Sequence, residues 1–95
     1  MNVYEEALRL WGIQAQVGMM MEEMGELIVA LNRYDRGRIA ASDVLEELVD
    51  VSIMIDQMRI YFDPSGSCWD LKRNDKLLRL ADRVSQEDMQ GAKKE

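Results

Sequence analysis

MMMEEMGELIVAL, residues 19–31, holds three carboxylates, Glu22, Glu23 and Glu26, in the middle of a Met- and Leu-rich run. Met, Leu, Glu and Ala are strong helix formers, and no period-two alternation competes with a helical reading. A second stretch of the same kind, DVLEELVDVSIMI at residues 43–55, puts Glu46, Glu47 and Asp50 on another apolar helix. Two apolar helices that each carry an acidic cluster indicate either a solvated, salty surface or a metal site.

Outward from these stretches the chain reads as helix almost throughout. The helix through residues 19–31 is expected to run from about Ile13 to Arg36 and to stop at Gly37, a left-handed C-cap. A short helix over Asn2 to Trp11 precedes it and ends near Gly12. The helix through residues 43–55 begins at Ser42 or Asp43, with Asp43 and Glu46 spaced as a capping box, and continues to about Phe62. Pro64, the lone proline, sits in the loop FDPSGS. A fourth helix opens at Ser67 with apolar positions Leu71, Leu77, Leu78, Ala81 and Val84. Residues 86–95, QEDMQGAKKE, read as a solvated, flexible tail.

No strand pattern is sustained and no internal repeat is present, so the fold class is all-α. The two long helices, joined by GRIAAS, form an antiparallel hairpin in which the first long helix measures about 35 Å. Such a hairpin has more apolar surface than two short flanking helices can cover. A bundle of about four helices completed by self-association, as a homodimer or homotetramer, is therefore expected.

Composition sets the outer bounds. A chain of 95 residues makes one domain, 1–95, with its core over 13–85; at this size about two-thirds of the unfolded surface is buried. A formal charge of −6 argues against a nucleic-acid partner, which needs a dominant basic patch, and suits a protein that recruits cations. No apolar run approaches the roughly 20 residues that span a bilayer, and MNVYEEALRL is too acidic for a signal peptide, so no membrane partner is expected. The single cysteine, Cys68, leaves no internal disulfide and fits a reducing cytoplasm. With no histidine anywhere to activate it, Cys68 reads as a structural or surface thiol. The missing histidine also removes the Glu-x-x-His ligands of di-iron bundles and the usual zinc set. A metal here would be a hard ion held by oxygens, magnesium or manganese.

On helical wheels Val44, Leu48, Val51, Ile55 and Met58 make one apolar face, and Glu47 falls inside that arc between Met54 and Met58. Asp50 lies at its edge, while Glu46 sits farther round. In the preceding helix Val17, Met20, Met21, Met24, Leu27, Ile28 and Leu31 form the main apolar face. Glu23 borders that face, Glu26 comes next and Glu22 is farther out. Gly25 stands between Glu23 and Glu26, where glycine costs roughly 1 kcal/mol against alanine; a close approach by a helix or ligand would account for it. No Lys or Arg is placed three or four residues from Glu23 or Glu47. Two like charges at 4 Å repel by about 4 kcal/mol at an effective dielectric of 20. Carboxylates facing one another across the hairpin must either take up protons or bind a divalent cation.

EEMGE (Glu22 to Glu26) has the form EExxE, and ELVD (Glu47 to Asp50) has the form ExxD, with twenty residues between them. The ordered pair, with EMGEL and EELVDV as local context, resembles the MazG-like all-α nucleoside triphosphate pyrophosphohydrolases over roughly residues 13–83. The resemblance implies an enzyme that splits a nucleoside triphosphate, ribo- or deoxyribo-, into monophosphate and pyrophosphate in housecleaning or nucleotide-pool control. It implies Glu23, Glu26, Glu47 and Asp50 as Mg²⁺ ligands, with Mn²⁺ as a substitute, and Glu22 as the residue that positions the attacking water or holds a further metal. In the late basic helix Lys72, Lys76, Arg79 and Arg83 form one stripe, and the resemblance makes Asn74, Lys76 and Arg79 candidates for the triphosphate. Trp11, Gln14 and Gln16 stand where the family keeps base-recognition residues. Arg33, Arg36 and Arg38, around the hairpin turn, read as surface charges. The competing expectation is a non-catalytic helical oligomerisation or interaction module whose acidic clusters keep it soluble or bind a basic partner. That alternative leaves Glu23 and Glu47 as unpaired charges inside apolar arcs.

Overall fold

A computed structural model describes residues 2–94 of the chain, with side chains over residues 2–91. The described residues form three α-helices and no strand: α1 (Val3–Asp35), α2 (Ala41–Phe62) and α3 (Ser67–Lys94). The all-α expectation holds. Two compact units are present, Met1–Pro64 with the α1–α2 hairpin and Ser65–Glu95 with α3. Met1 and Glu95, the limits of the expected domain, lie outside the described residues.

The ends of the hairpin helices follow from local chemistry. The Asn2 side chain caps α1 by accepting a hydrogen bond from the Glu5 amide at 2.9 Å. The expected first and second helices are one element broken at Gly12, whose φ of 81° and ψ of 160° belong to a region that only glycine enters cheaply. The segment before this break is tied to α2 by the Tyr4 hydroxyl, which donates to Asp56 Oδ2 at 3.4 Å.

At its far end α1 closes in a Schellman motif. Gly37 takes the left-handed conformation at φ 71°, the Arg38 amide donates to the Arg33 carbonyl at 2.9 Å and the Gly37 amide to the Tyr34 carbonyl at 2.9 Å. Gly37 thus acts as the sequence indicated. The start of α2 differs from expectation. The helix begins at Ala41 with Ala40 as its extended N-cap, and Asp43 is the third helical residue, its Oδ2 accepting from the Ala40 amide at 3.0 Å. Asp43 reaches back to the cap where the expected box had it serve as the cap, so Glu46 has no capping part. The helix ends at Phe62, as expected, with the Asp63 amide donating to the Arg59 carbonyl at 2.8 Å.

The core is a narrow seam between α1 and α2. In α1, Gln16 and Ala30 are buried, and Met20, Glu23 and Leu27 are half-buried between them. Their spacing of four, three, four and three residues is one stripe of a helix. In α2 the facing residues are Val44, Val51, Met54 and Gln57, all buried, with Glu47 half-buried among them. The apolar faces expected from the wheels are therefore wider than the seam. Met21, Met24, Ile28 and Leu31 on α1 and Leu48 on α2 are exposed. The reason is geometric: one partner helix covers one stripe, and α1 carries two. Within the seam, Gln57 Nε2 donates to Gln16 Oε1, so both buried amides have a partner.

The second unit is α3 itself. It opens at Ser67 after Gly66, at φ 79°, and continues through Lys94. The stretch read as a flexible tail is thus helical as far as it is described, and the side chains of residues 86–91 are exposed. Leu71, Leu77, Leu78, Leu80 and Val84 are exposed on α3 as well. Cys68 is a free, exposed thiol. No helix among the described residues is long and apolar enough to cross a membrane.

Candidate metal centre

Helical spacing brings the acidic clusters together. Glu23 stands three residues after Met20 and four before Leu27, and so shares the buried stripe of α1. Glu47 stands three after Val44 and four before Val51, and shares the stripe of α2. Glu26, one turn beyond Glu23, is exposed at the rim. One carboxylate oxygen from each of Glu23, Glu26 and Glu47 can be chosen so that all three lie within 4.8 Å of one another. The two helices each supply part of this triad, so it exists only when the hairpin is closed.

Two of its oxygens are stranded. Glu23 Oε2 and Glu47 Oε2 are buried and have no hydrogen-bond partner. The ion pairs Arg9–Glu6, Arg59–Asp56 and Arg79–Asp75 all lie outside the triad. The electrostatics respond as expected for crowded carboxylates. Loss of solvent pushes the Glu23 carboxyl above its ordinary value of 4.5, helped by the charges of Glu26, Asp50 and Glu47. The Glu47 carboxyl is raised for the same leading reason, then by Glu26, Asp50 and Glu46.

The donor set suits a hard cation. It is made of oxygens alone, two of them without a protein partner, and it is fixed by seam packing on two helices. Histidine is absent from the chain and Cys68 lies on α3, so no softer ligand belongs to the triad. Asp50, the fourth expected ligand, is one turn beyond Glu47 and exposed. It is close enough for its charge to raise both buried carboxyls but stands outside the triad.

A groove of about 770 Å³ opens beside the triad between α1 and the start of α2. Glu22, Glu26 and Glu47 line one end of it, and Arg33 and Ile39, near the hairpin turn, line the other. Gly25 belongs to its wall. A Cβ built on Gly25 meets nothing within 4 Å, so none of the described residues makes the close approach expected there.

The remaining expected site residues are more scattered. Trp11 and Gln14 are exposed on either side of the Gly12 break. Gln16 is buried in the seam, where its amide oxygen is engaged by Gln57. Asn74, Lys76 and Arg79 are exposed on α3 in the second unit, with Arg79 paired to Asp75 at 3.2 Å. Lys76 borders an apolar surface groove of α3 with Trp69, Leu77 and Leu80. Two residues of the first unit take places that the sequence reading does not give them: Gln57, which the reading leaves without a role, and Arg33, which it makes a surface charge. Gln57, 41 positions from its partner, has no local signal of burial. Arg33 had one: its spacing of seven residues from Glu26 places it along the same side of α1. Comparison with family models, with curated proteins and with solved structures gives no match to this chain.

Proposed function

We propose that the protein is a magnesium-dependent nucleoside triphosphate pyrophosphohydrolase, releasing monophosphate and pyrophosphate. The observation that carries this reading is the pair of buried, unpartnered carboxylate oxygens of Glu23 and Glu47, held by opposite helices beside Glu26. Burying like charges without partners costs folding energy, and a divalent cation is the simplest group that reverses the sign of that cost. Glu23, Glu26 and Glu47 would hold Mg²⁺ or Mn²⁺, with Asp50 joining from the next turn. The ion would supply positive charge against the phosphate oxygens as charge develops there.

The chain's own residues do the rest. The half-buried seam fixes Glu23 and Glu47, so little reorganisation is needed when substrate arrives. Glu22 lines the groove beside the triad and is exposed, free of the seam. It orients the attacking water and accepts its proton, while the water oxygen bonds to one phosphorus of the α–β anhydride and the bridging P–O bond breaks, giving monophosphate and pyrophosphate. Trp11 and Gln14 are the candidates for the base, whereas Gln16, its amide oxygen taken by Gln57, belongs to the seam. Asn74, Lys76 and Arg79 are candidates for the phosphates. The motif pair EEMGE and ELVD, which resembles the MazG-like family, supports the same reaction. A cytoplasmic housecleaning or pool-control role would follow from it.

The exposed second stripe of α1, with Met21 63% and Ile28 61% accessible, favours a homodimer or homotetramer in which hairpins complete a bundle of about four helices. The same stripe would serve a non-catalytic association module. The two stranded carboxylates separate the readings, because a module has no use for them.

The deciding experiment is pyrophosphate release from a panel of NTPs and dNTPs, with Mg²⁺ and with EDTA, using Glu47→Gln as the blank. Magnesium-dependent release with a base preference is expected. A folded protein that binds Mg²⁺ yet is silent on every nucleotide points to another phosphoanhydride substrate. One that neither turns over nor binds metal leaves the association module.

A further inference from the structure

We propose that Arg33 is the phosphate-end anchor of the α1–α2 groove, gripping the terminal phosphate of a polyphosphate chain whose other phosphates lie at the carboxylate triad. The inference deepens the reading above and rests on it. Arg33 lines the same groove as Glu22, Glu26 and Glu47, at the end nearer the turn. It follows Glu26 by seven residues, so the two stand on the same side of α1 about 10 Å apart along the axis. A flexible arginine and a phosphate chain together bridge that span.

The charges around Arg33 leave it available. No carboxylate lies within ion-pair distance of it among the described residues. Asp43, at the start of α2, also lines the groove, and its Oδ2 already accepts from the Ala40 amide. The groove wall between the charged ends is smooth, since Val29 and Ala30 are apolar, and Gly25, among the acids, adds no side chain. An acidic end suited to a cation and a guanidinium at the other end make a bipolar slot. A magnesium-bound polyphosphate has that charge order, and guanidinium binds phosphate through paired N–H donors.

Arg33 differs in this from its neighbours. Arg36 and Arg38 line, with Ile28, Asn32 and Arg33, a second, smaller groove, and neither lines the slot that holds the triad. The assignment is therefore to one residue and not to the basic turn as a whole.

The test uses inorganic triphosphate with Mg²⁺, measured by isothermal titration calorimetry on the full chain, with Mg²⁺ alone titrated separately. Arg33→Gln should weaken triphosphate binding about ten- to hundredfold, the range of one charge-assisted contact, and leave Mg²⁺ binding unchanged. Arg33→Lys should recover part of the loss, and Arg36→Gln should change affinity less than about threefold. In turnover assays Arg33→Gln should raise KM with kcat nearly constant, because the terminal phosphate is held equally in ground and transition states. Equal losses in the Arg33 and Arg36 variants would overturn the assignment, as would an Arg33→Gln protein that binds triphosphate like wild type. If the wild type binds Mg²⁺ but not triphosphate, the anchor falls while the metal centre stands. If it binds neither, both fall together.

Discussion

Two polar insertions interrupt the same apolar seam, and they are built in opposite ways. Gln16 and Gln57 meet as amides, a donor facing an acceptor, and each satisfies the other. Seven residues farther along α1, Glu23 meets Glu47 as acid facing acid, and a buried oxygen of each has no partner. An amide pair is self-sufficient and specifies register at small net cost. An acid pair is not self-sufficient at neutral pH. It is stable only when protonated or when something positive arrives. One insertion serves the fold, and the other, in the function proposed above, is completed by a cation.

The largest effect should come from removing one acid. Glu47→Gln takes a charge from the crowded site and a donor from the triad. Turnover should fall on the order of a hundred- to a thousandfold, while the melting temperature of the metal-free protein stays level or rises. Thermal melts in EDTA beside the pyrophosphate assay would check both halves. A variant that melts well below wild type in EDTA would break the comparison, since Glu47 would then be acting as Gln57 does.

Metal and proton should substitute for one another at the acid pair. The Glu23 and Glu47 carboxyls are raised from 4.5 in the folded chain, so the folded state binds protons more tightly than the unfolded one. Stability from this source is complete below 4.5 and is lost as pH rises through the raised values. The metal-free protein should therefore become less stable from mildly acidic toward neutral pH. Mg²⁺ at a hundred times its Kd should restore about 2.7 kcal/mol at neutral pH, and its effect should shrink in acid, where protons hold the site. Melts over a pH series, with and without Mg²⁺, would show the two curves converging at low pH. Parallel curves would mean that the ion binds elsewhere.

At the amide pair the expected pattern is reversed. Gln57→Leu strands Gln16 Oε1 in the seam and should cost about 1–3 kcal/mol, independent of Mg²⁺. Replacing both glutamines with leucine should return most of that loss, because no buried polar group then lacks a partner. Urea denaturation of the two single variants and the double would measure the coupling. Additive losses would mean that the amides are solvated separately.

How far these features could be read beforehand depends on how local their causes are. The Gly12 break, the Gly37 cap and the end of α2 at Phe62 rest on signals within a few residues, and the sequence carries them. Glu23, Glu26 and Glu47 could be brought together on paper because a hairpin with a short turn fixes which faces meet. Features that depend on the partner surface could not. The α1 wheel shows one broad apolar face, and only the position of α2 decides that Met20 and Leu27 are covered while Met21 and Ile28 are not. The Gln16–Gln57 contact spans the hairpin with residues that usually face water. Asp43 stands three positions past the N-cap it was expected to fill, because Ala40, with no capping side chain, leaves no mark in the sequence.

Gly25 offers the smallest and most discriminating change. It lies inside α1 next to the acid pair, and a Cβ built on it touches nothing among the described residues. Gly25→Ala should therefore stabilise the free protein by about 0.5–1 kcal/mol, from lower backbone entropy in the unfolded state and better helix propensity. If a ligand passes over the groove wall, the added methyl should weaken triphosphate binding while the melt improves, a trade of stability for function. Both measurements on one variant settle what the glycine is for. A gain in stability with binding intact would make Gly25 incidental and confine recognition to the charged ends of the groove. A loss of binding would extend the acid pair's dependence on a ligand to the backbone beside it, in contrast with the amide pair, whose seam is complete without one.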